Sequence, residues 1–177
     1  FGVVPRKGGA PKWFEFPTSY IYHVINSWEE GDEVVMAACK MVPNGFEPDA
    51  KTYGPYAPMV TVLALRAQPF LWRMNIKTGR GREERLDDRL SEFPVVDNAR
   101  LGRRTKYSYH VVMDDHVEQR YSALLKYDLA TGAAVAHQFP KGWFGSEAAF
   151  APRENASSLS KAGAPRANAR YRNIGEA

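Results

Sequence analysis

The four histidines of this 177-residue sequence are its best candidates for metal binding or proton transfer near neutral pH. No two of them have the four-residue spacing of a helical metal-binding pair, and none adjoins the single cysteine, Cys39. His116 lies in the charged stretch MDDHVEQ, so we expect a solvated turn residue there. His110 and His137 lie in predicted strands close to turns, where a surface or hydrogen-bonded core position is the simplest interpretation.

His23, the fourth, differs because it lies in the middle of the apolar stretch YIYHVIN. Alternation along a strand places Ile21, His23 and Ile25 on one face. An imidazole among such neighbours costs free energy unless hydrogen bonds or a metal engage both ring nitrogens. Residue types and spacing leave both options open, and they favour a hydrogen-bonded core histidine.

Composition and charge restrict the class of protein. Hydrophobic residues make up 44% of the chain and charged residues 25%, which is ordinary for a globular domain. No stretch approaches the roughly 18 consecutive apolar residues of a membrane-spanning helix. Residues 1–150 carry 19 basic and 18 acidic side chains with no basic stripe, so we expect no nucleic-acid partner despite the net charge of +4. A single cysteine excludes an internal disulfide.

The sequence predicts an all-β fold. Short runs rich in Val, Ile, Tyr, Phe and Trp alternate with Gly, Pro, Asn and Asp clusters. The predicted strands are 2–5, 19–26, 33–40, 60–67, 70–75, 106–113, 123–127 and 134–139. WRMNIKTG and LKYDLATG resemble each other, with their Thr-Gly pairs 53 residues apart. Such spacing is typical of β-propeller blades, although two unrelated hairpins with a similar turn would look the same.

The composition changes near the carboxyl end. Residues 154–177 are rich in Ala, Ser, Asn and Arg and contain few large aliphatic side chains, so they cannot bury an apolar face. We therefore expect one β-domain over residues 1–153, followed by a disordered or unrelated tail over 154–177.

Five segments, in order, make the chain resemble the carotenoid cleavage oxygenase family, closest to its carotenoid cleavage dioxygenase 1-like branch. HVINSWEE, from His23 to Glu30, is similar to the family's His-x-x-Asn-Ala-Trp-Glu-Glu pattern, with Ser27 in place of Ala. The other segments are WRMNIKTG, EFPVVDNARLGRRTKYSY, LKYDLATG and GWFGSEAAFAPRE. The matches extend from the first residue to Glu154.

The resemblance implies a seven-bladed β-propeller, of which this chain would hold about three blades. It also implies a non-haem Fe(II) on the propeller axis, held by four histidines. His23 looks like one of those ligands, and Glu92 and Glu147 match family glutamates that orient other ligand histidines. The remaining three ligands have no match in this sequence, so we expect them outside it. Glu29 and Glu30 we expect to be solvated turn residues.

By resemblance, the function would be oxidative cleavage of a conjugated C=C bond in a carotenoid or apocarotenoid, with O2 as co-substrate. The complete enzyme would make peripheral contact with a membrane, in the cytoplasm or a plastid. Two alternatives remain. One is a stilbene-cleaving dioxygenase of the same superfamily, and the other is an inactive truncated propeller that serves as a binding module.

Overall fold

The structure is a computed structural model that describes residues 1–42, 47–64, 66–114 and 119–152. Ten strands account for most of its regular secondary structure. They are β1 (Gly2–Val3), β2 (Lys12–Trp13), β3 (Tyr20–Glu30), β4 (Glu33–Val42), β5 (Arg66–Asn75), β6 (Gly81–Arg85), β7 (Ser91–Val95), β8 (Tyr107–Met113), β9 (Tyr121–Asp128) and β10 (Ala134–Gln138). The helices are α1 (Ala50–Tyr53) and α2 (Ala57–Leu63), with 3₁₀ turns at Gly54–Tyr56 and Asn98–Arg100.

The strands form two four-stranded antiparallel sheets and one two-stranded pair. In the first sheet β3, β4, β5 and β6 are neighbours in chain order, and in the second β7, β8, β9 and β10 repeat that arrangement. β1 and β2 form the two-stranded pair. A four-stranded meander is the unit from which propeller blades are built. The predicted all-β class is therefore confirmed.

One face of β4 supplies much of the core between the two sheets. Alternate residues of β4 are buried because side chains two apart share a face. These residues are Val35, Ala37, Cys39 and Met41. They cluster with Val96 and Met113, which belong to the second sheet or directly follow one of its strands. Burying one such side chain contributes about 1.5–3 kcal/mol, so the two sheets stabilise each other face to face.

The repeated Thr-Gly segments adopt the same turn in both sheets. Each joins the third strand to the fourth, from Asn75 to Gly81 and from Asp128 to Ala134. Gly79 donates its amide to the Asn75 carbonyl at 2.9 Å, and Gly132 donates to Asp128 at 2.8 Å. Both glycines have a positive φ, 75° and 72°, which other residues rarely adopt. The predicted internal repeat is thus a repeated supersecondary unit.

The prediction of a strand over 60–67 was wrong. Residues Ala57–Leu63 form helix α2, and β5 begins only at Arg66. Periodicity could not separate the two outcomes, because the stretch MVTVLAL is apolar apart from Thr61. Pro58 favours the helix since its fixed φ suits the first turn.

Three strands were missed by the sequence prediction. β6 reads GREER, and its mostly exposed charged residues give no alternation signal. β7 contains Pro94, which argues against a strand interior. β2 has only two residues. His116 and the predicted disordered tail, residues 154–177, lie outside the described residues. Within the described part of the chain, no helix has the length and apolarity required to cross a membrane.

Candidate metal centre

A histidine and a buried carboxylate meet where the two sheets adjoin. His23 lies on β3 and Glu92 on β7, the first strand of each sheet. The Nδ1 atom of His23 lies 2.7 Å from Oε2 of Glu92. The side chain of Glu92 is 4% exposed, whereas that of His23 is 44% exposed. The structure thus joins two residues that are 69 positions apart, and Glu92 contacts His23 itself rather than another histidine.

Irregular pairing on both strands positions this pair. Along β3 the register shifts between Ile21 and Val24 and again between Val24 and Asn26, so His23 lies within a bulged section. Burial alternates along β3 as predicted up to Ile25, but the next residue, Asn26, is buried as well. A bulge redirects side chains that a regular ladder would hold flat, and here the imidazole points toward the second sheet.

Phe93 contributes a second irregularity next to Glu92. Its φ is 49°, an uncommon value for a residue with a side chain, and the β7 register breaks between Glu92 and Val95. The Phe93 amide donates a hydrogen bond to the Oε2 atom of Glu92. The Phe93 ring lies 5.3 Å from the imidazole of His23, centroid to centroid. Strained backbone of this kind persists where surrounding contacts fix it, and it is often found at functional sites.

Glu92 is a buried carboxyl with an incomplete set of partners. Burial raises the pKa of Glu92, hydrogen bonds from the Phe93 amide and from His23 oppose that rise, and the charge of Glu147 adds to it. Its other oxygen, Oε1, is buried and has no hydrogen-bond partner among the described residues. A cation beside the His23 ring would stabilise the ionised carboxylate, because an opposite charge nearby favours the charged form.

The geometry leaves His23 able to bind a metal through one nitrogen. With Nδ1–H donated to Glu92, the Nε2 atom of a neutral ring carries a free lone pair. Nε2 makes no hydrogen bond within the described part of the chain. Across those same residues, no three His, Cys, Asp or Glu side chains come close enough to hold an ion together. Among the described residues, His23 is therefore the one imidazole held by a carboxylate with its other ring nitrogen left to bind a metal.

Glu147 lies in the segment after β10, on an exposed stretch of chain. Its charge acts on Glu92, which places the two carboxyls in the same region. Among the described residues, Glu147 has no hydrogen bond to a histidine. Its predicted role as an orienting residue stays a prediction.

His110 is a buried core residue, as the simplest interpretation predicted. Its ring is fully buried and lies 5.0 Å from the ring of Tyr127. Nε2 lies 2.9 Å from Oγ of Ser108, and Nδ1 lies 3.3 Å from Oγ of Ser91. Burial lowers the pKa of His110 to about 3. Because Ser91 precedes Glu92, the His110 side chain also braces the strand that carries the carboxylate.

Cys39 and His110 form a cysteine–histidine contact that does not have the properties of a nucleophile pair. Sγ of Cys39 lies 3.7 Å from Nδ1 of His110. Burial raises the pKa of the Cys39 thiol well above its usual range, and the charge of Glu92 raises it further. A reactive cysteine requires a lowered pKa and access to solvent. Both side chains are therefore neutral core groups.

Two other predictions concern surface residues. His137 on β10 is exposed, which is one of the two positions expected for it, and Glu29 is exposed as expected. Glu30 differs from the expected solvated turn residue. It pairs with Arg73 at 3.0 Å and with Arg104 at 3.0 Å. The hydrogen bond from Arg73 lowers the pKa of Glu30, against the effect of partial burial. Glu30 links β3 to β5 and to the segment that precedes β8.

Comparison with known proteins places the chain in a family. The sequence profile of the family described as retinal pigment epithelial membrane protein, RPE65, matches residues 1–162. The chain belongs to this family. Among curated relatives, the carotenoid 9,10(9',10')-cleavage dioxygenase of Crocus sativus is 30% identical over 170 residues, 87% of this chain. The carotenoid 9,10(9',10')-cleavage dioxygenase 1 of Arabidopsis thaliana is 27% identical over 179 residues, 88% of this chain.

The chain spans only part of these relatives. The matched regions are 30% of the Crocus protein and 31% of the Arabidopsis protein. Among solved structures, cobalt-substituted apocarotenoid oxygenase of Synechocystis superposes with a TM-score of 0.71 at 24% identity. That match covers 89% of this chain and 32% of the oxygenase. This likeness establishes the fold and leaves the chemistry to be argued from the site.

Proposed function

We propose that this chain forms part of a non-haem Fe(II) dioxygenase that cleaves a conjugated C=C bond of a carotenoid or apocarotenoid with O2. The observation that carries the proposal is the His23–Glu92 pair at 2.7 Å, in which one ring nitrogen is held and the other is free. The curated relatives named above are carotenoid-cleaving enzymes, which supports the substrate class.

The proposed metal site uses His23 as one of four histidine ligands, each from an innermost propeller strand. Imidazole nitrogen is a suitable ligand for Fe(II). The bound iron would supply the activation of O2. The part of this chain would be to present Nε2, with Glu92 holding the proton on Nδ1 and Phe93 packing beside the ring. Glu147 would hold the corresponding proton of another ligand histidine.

The proposed architecture is a seven-bladed propeller. The two four-stranded sheets would be two adjacent blades, and the β1–β2 pair would belong to a third. His23 and Glu92 both lie on the first strand of a sheet, which is the position nearest the axis in a propeller. Residues 1–153 would thus be a propeller portion, and residues 154–177 remain a predicted tail.

Peripheral membrane contact is part of the proposal. Tyr56, Met59 and Val62, between β4 and β5, are 65%, 57% and 46% exposed. Exposed apolar side chains of this kind suit the headgroup boundary of a bilayer. Co-sedimentation with phosphatidylcholine vesicles should fall when Met59 and Val62 are both changed to serine. Unchanged sedimentation would contradict the assignment of this segment.

Glu92→Gln tests the role of the carboxylate. Glutamine keeps an oxygen for the Nδ1–H of His23 but removes the negative charge, which weakens the imidazole as a ligand. Loss of such a partner typically costs about 10- to 100-fold in metal affinity or activity. We expect Fe(II) affinity to fall by a factor in that range. The measurement is a titration of the natural protein, with and without the substitution. Glu29→Gln, the same exchange at an exposed position on β3, the strand of His23, is the matched control and should leave Fe(II) affinity unchanged.

The function itself is tested by product analysis under labelled oxygen. The Fe(II)-loaded protein is incubated with a carotenoid, an apocarotenoid and a lignostilbene under ¹⁸O2. We expect two carbonyl products from a polyene, both containing ¹⁸O. Cleavage of the lignostilbene alone would favour the stilbene-cleaving alternative. Absence of any cleavage, with iron not retained, would favour an inactive binding module.

A further inference from the structure

Asn26, three residues after His23, ties β3 to a loop of the second sheet. Its side chain is buried, with 4% of the residue exposed. Nδ2 donates to the carbonyl oxygens of Arg100 and Arg103, at 3.1 and 2.9 Å. Oδ1 accepts from the amides of Gly102 and Ser27, at 3.1 and 2.9 Å. Two donor hydrogens and two acceptor sites are all that an amide side chain offers, so Asn26 is fully satisfied.

The loop that Asn26 holds has little other regular structure. A 3₁₀ turn over Asn98–Arg100 begins after Asp97, whose side chain accepts from the Ala99 amide at 3.0 Å. Gly102 then takes a φ of 74°, which turns its amide toward Asn26. A buried polar group that loses its hydrogen-bond partner destabilises the fold, so the Asn26 contacts are a substantial part of what orders this loop.

The same loop lines part of an open groove next to the β3 residues that follow the candidate metal ligand, and most of the side chains that line this groove are apolar. The groove has a volume of about 340 Å³. Val24 and Ile25, which follow His23, line one side, and Pro94 to Val96, just after Glu92, line the other. Asn98 and Leu101 of the loop and Ala148 to Phe150 complete the lining. Leu101 adjoins both Arg100 and Gly102, two of the residues that Asn26 holds.

We propose that Asn26 is a positioning residue that fixes Leu101 as a wall of this groove and thereby sets which double bond of a polyene lies at His23. The inference rests on the proposed function. A groove walled mainly by apolar side chains gives a hydrocarbon chain few directional contacts, so the position of those walls decides how far the chain slides. Because the hydrogen bonds that Asn26 makes to the loop, among the described residues, all go to backbone atoms, we expect its effect on the substrate to pass through Leu101.

Two variants of the natural protein, both loaded with Fe(II), test the proposal. Asn26→Asp replaces two N–H donors with an anionic oxygen that faces two carbonyl oxygens, which releases the loop. Leu101→Ala removes the wall directly, and since Leu101 is 57% exposed this variant should fold. We expect both to shift the ratio of cleavage positions on one polyene by on the order of tenfold, the range typical for changes in an apolar pocket. Amide exchange at Gly102 should accelerate in Asn26→Asp.

Asn75→Asp is the matched control. Asn75 also accepts backbone amides, those of Lys77 and Thr78, but it lies in the β5–β6 turn and aspartate keeps that acceptor. Its product ratio should equal that of the unaltered protein. An unchanged ratio in Leu101→Ala, or in Asn26→Asp with iron retained, overturns the proposal. If the unaltered protein cleaves no polyene, both the proposed function and the specificity role of Asn26 are wrong. If it cleaves a polyene but the variants leave the product ratio unchanged, only the role of Asn26 is wrong.

Discussion

In the natural protein, replacing His23 with alanine should abolish both iron retention and polyene cleavage. Alanine takes away the only free imidazole nitrogen that the described residues present beside Glu92. The loss should exceed the roughly 100-fold that follows removal of a mere partner of a metal ligand. Iron content by plasma mass spectrometry and carbonyl product by chromatography measure the two effects on one preparation.

His137→Ala is the matched control for that experiment. His137 is exposed on β10, and its ring contact is with Phe139, at 6.0 Å. The variant should keep full iron content and full activity, which separates loss of a ligand from loss of any histidine. Full activity in His23→Ala would contradict the assignment of His23 as a ligand.

The stability of the protein should fall steeply in acid because of His110. Burial lowers the pKa of His110 in the folded state to about 3, below the ordinary value of 6.5. The unfolded chain therefore binds a proton between these two pH values that the folded chain does not. The free energy of unfolding should drop by about 1.4 kcal/mol per pH unit as pH falls from 6.5 toward 3, and His110 should add no slope above pH 6.5.

Urea unfolding at a series of pH values measures this slope. Carboxylates also titrate in acid, so the slope of His110→Gln must be subtracted from that of the unaltered protein. The glutamine can still bond to a serine hydroxyl but cannot gain a proton, and we expect its curve to be flatter between pH 6 and 4. His137→Gln, on the exposed surface, should follow the unaltered protein. Parallel curves for His110→Gln and the unaltered protein would show that His110 does not titrate as burial requires.

The parts of the fold that could be predicted are those whose signal is local. The Asn75 and Asp128 turns follow from a polar residue and a glycine at fixed offsets, and both formed as predicted. β6 could not be predicted, because its charged residues give no alternation signal. Its pairing with β5 and the ion pairs of Arg82 with Glu33 and of Glu83 with Lys40 form only in the folded chain. The helix at Ala57–Leu63 was missed since a mostly apolar stretch is compatible with either structure.

The candidate site also has a part that the sequence could predict and a part that it could not. His23 is conspicuous in its strand, but residue spacing alone favoured a core histidine, and the motif resemblance supplied the metal-ligand hypothesis. The contact of His23 with Glu92 depends on two register irregularities, and no sequence pattern encodes their match. The positive φ of Phe93 and the four hydrogen bonds of Asn26 likewise arise from tertiary contacts.

The most direct test is a crystal structure of the Fe(II)-loaded protein as its source makes it, with anomalous data collected at the iron edge. The proposed site predicts one strong peak about 2.1 Å from Nε2 of His23, the length of a metal–imidazole bond, with Nδ1 still on Glu92. Two results would contradict the proposed site. In one, the iron is bound by Glu92 itself; in the other, the iron lies far from His23, whose ring still faces solvent.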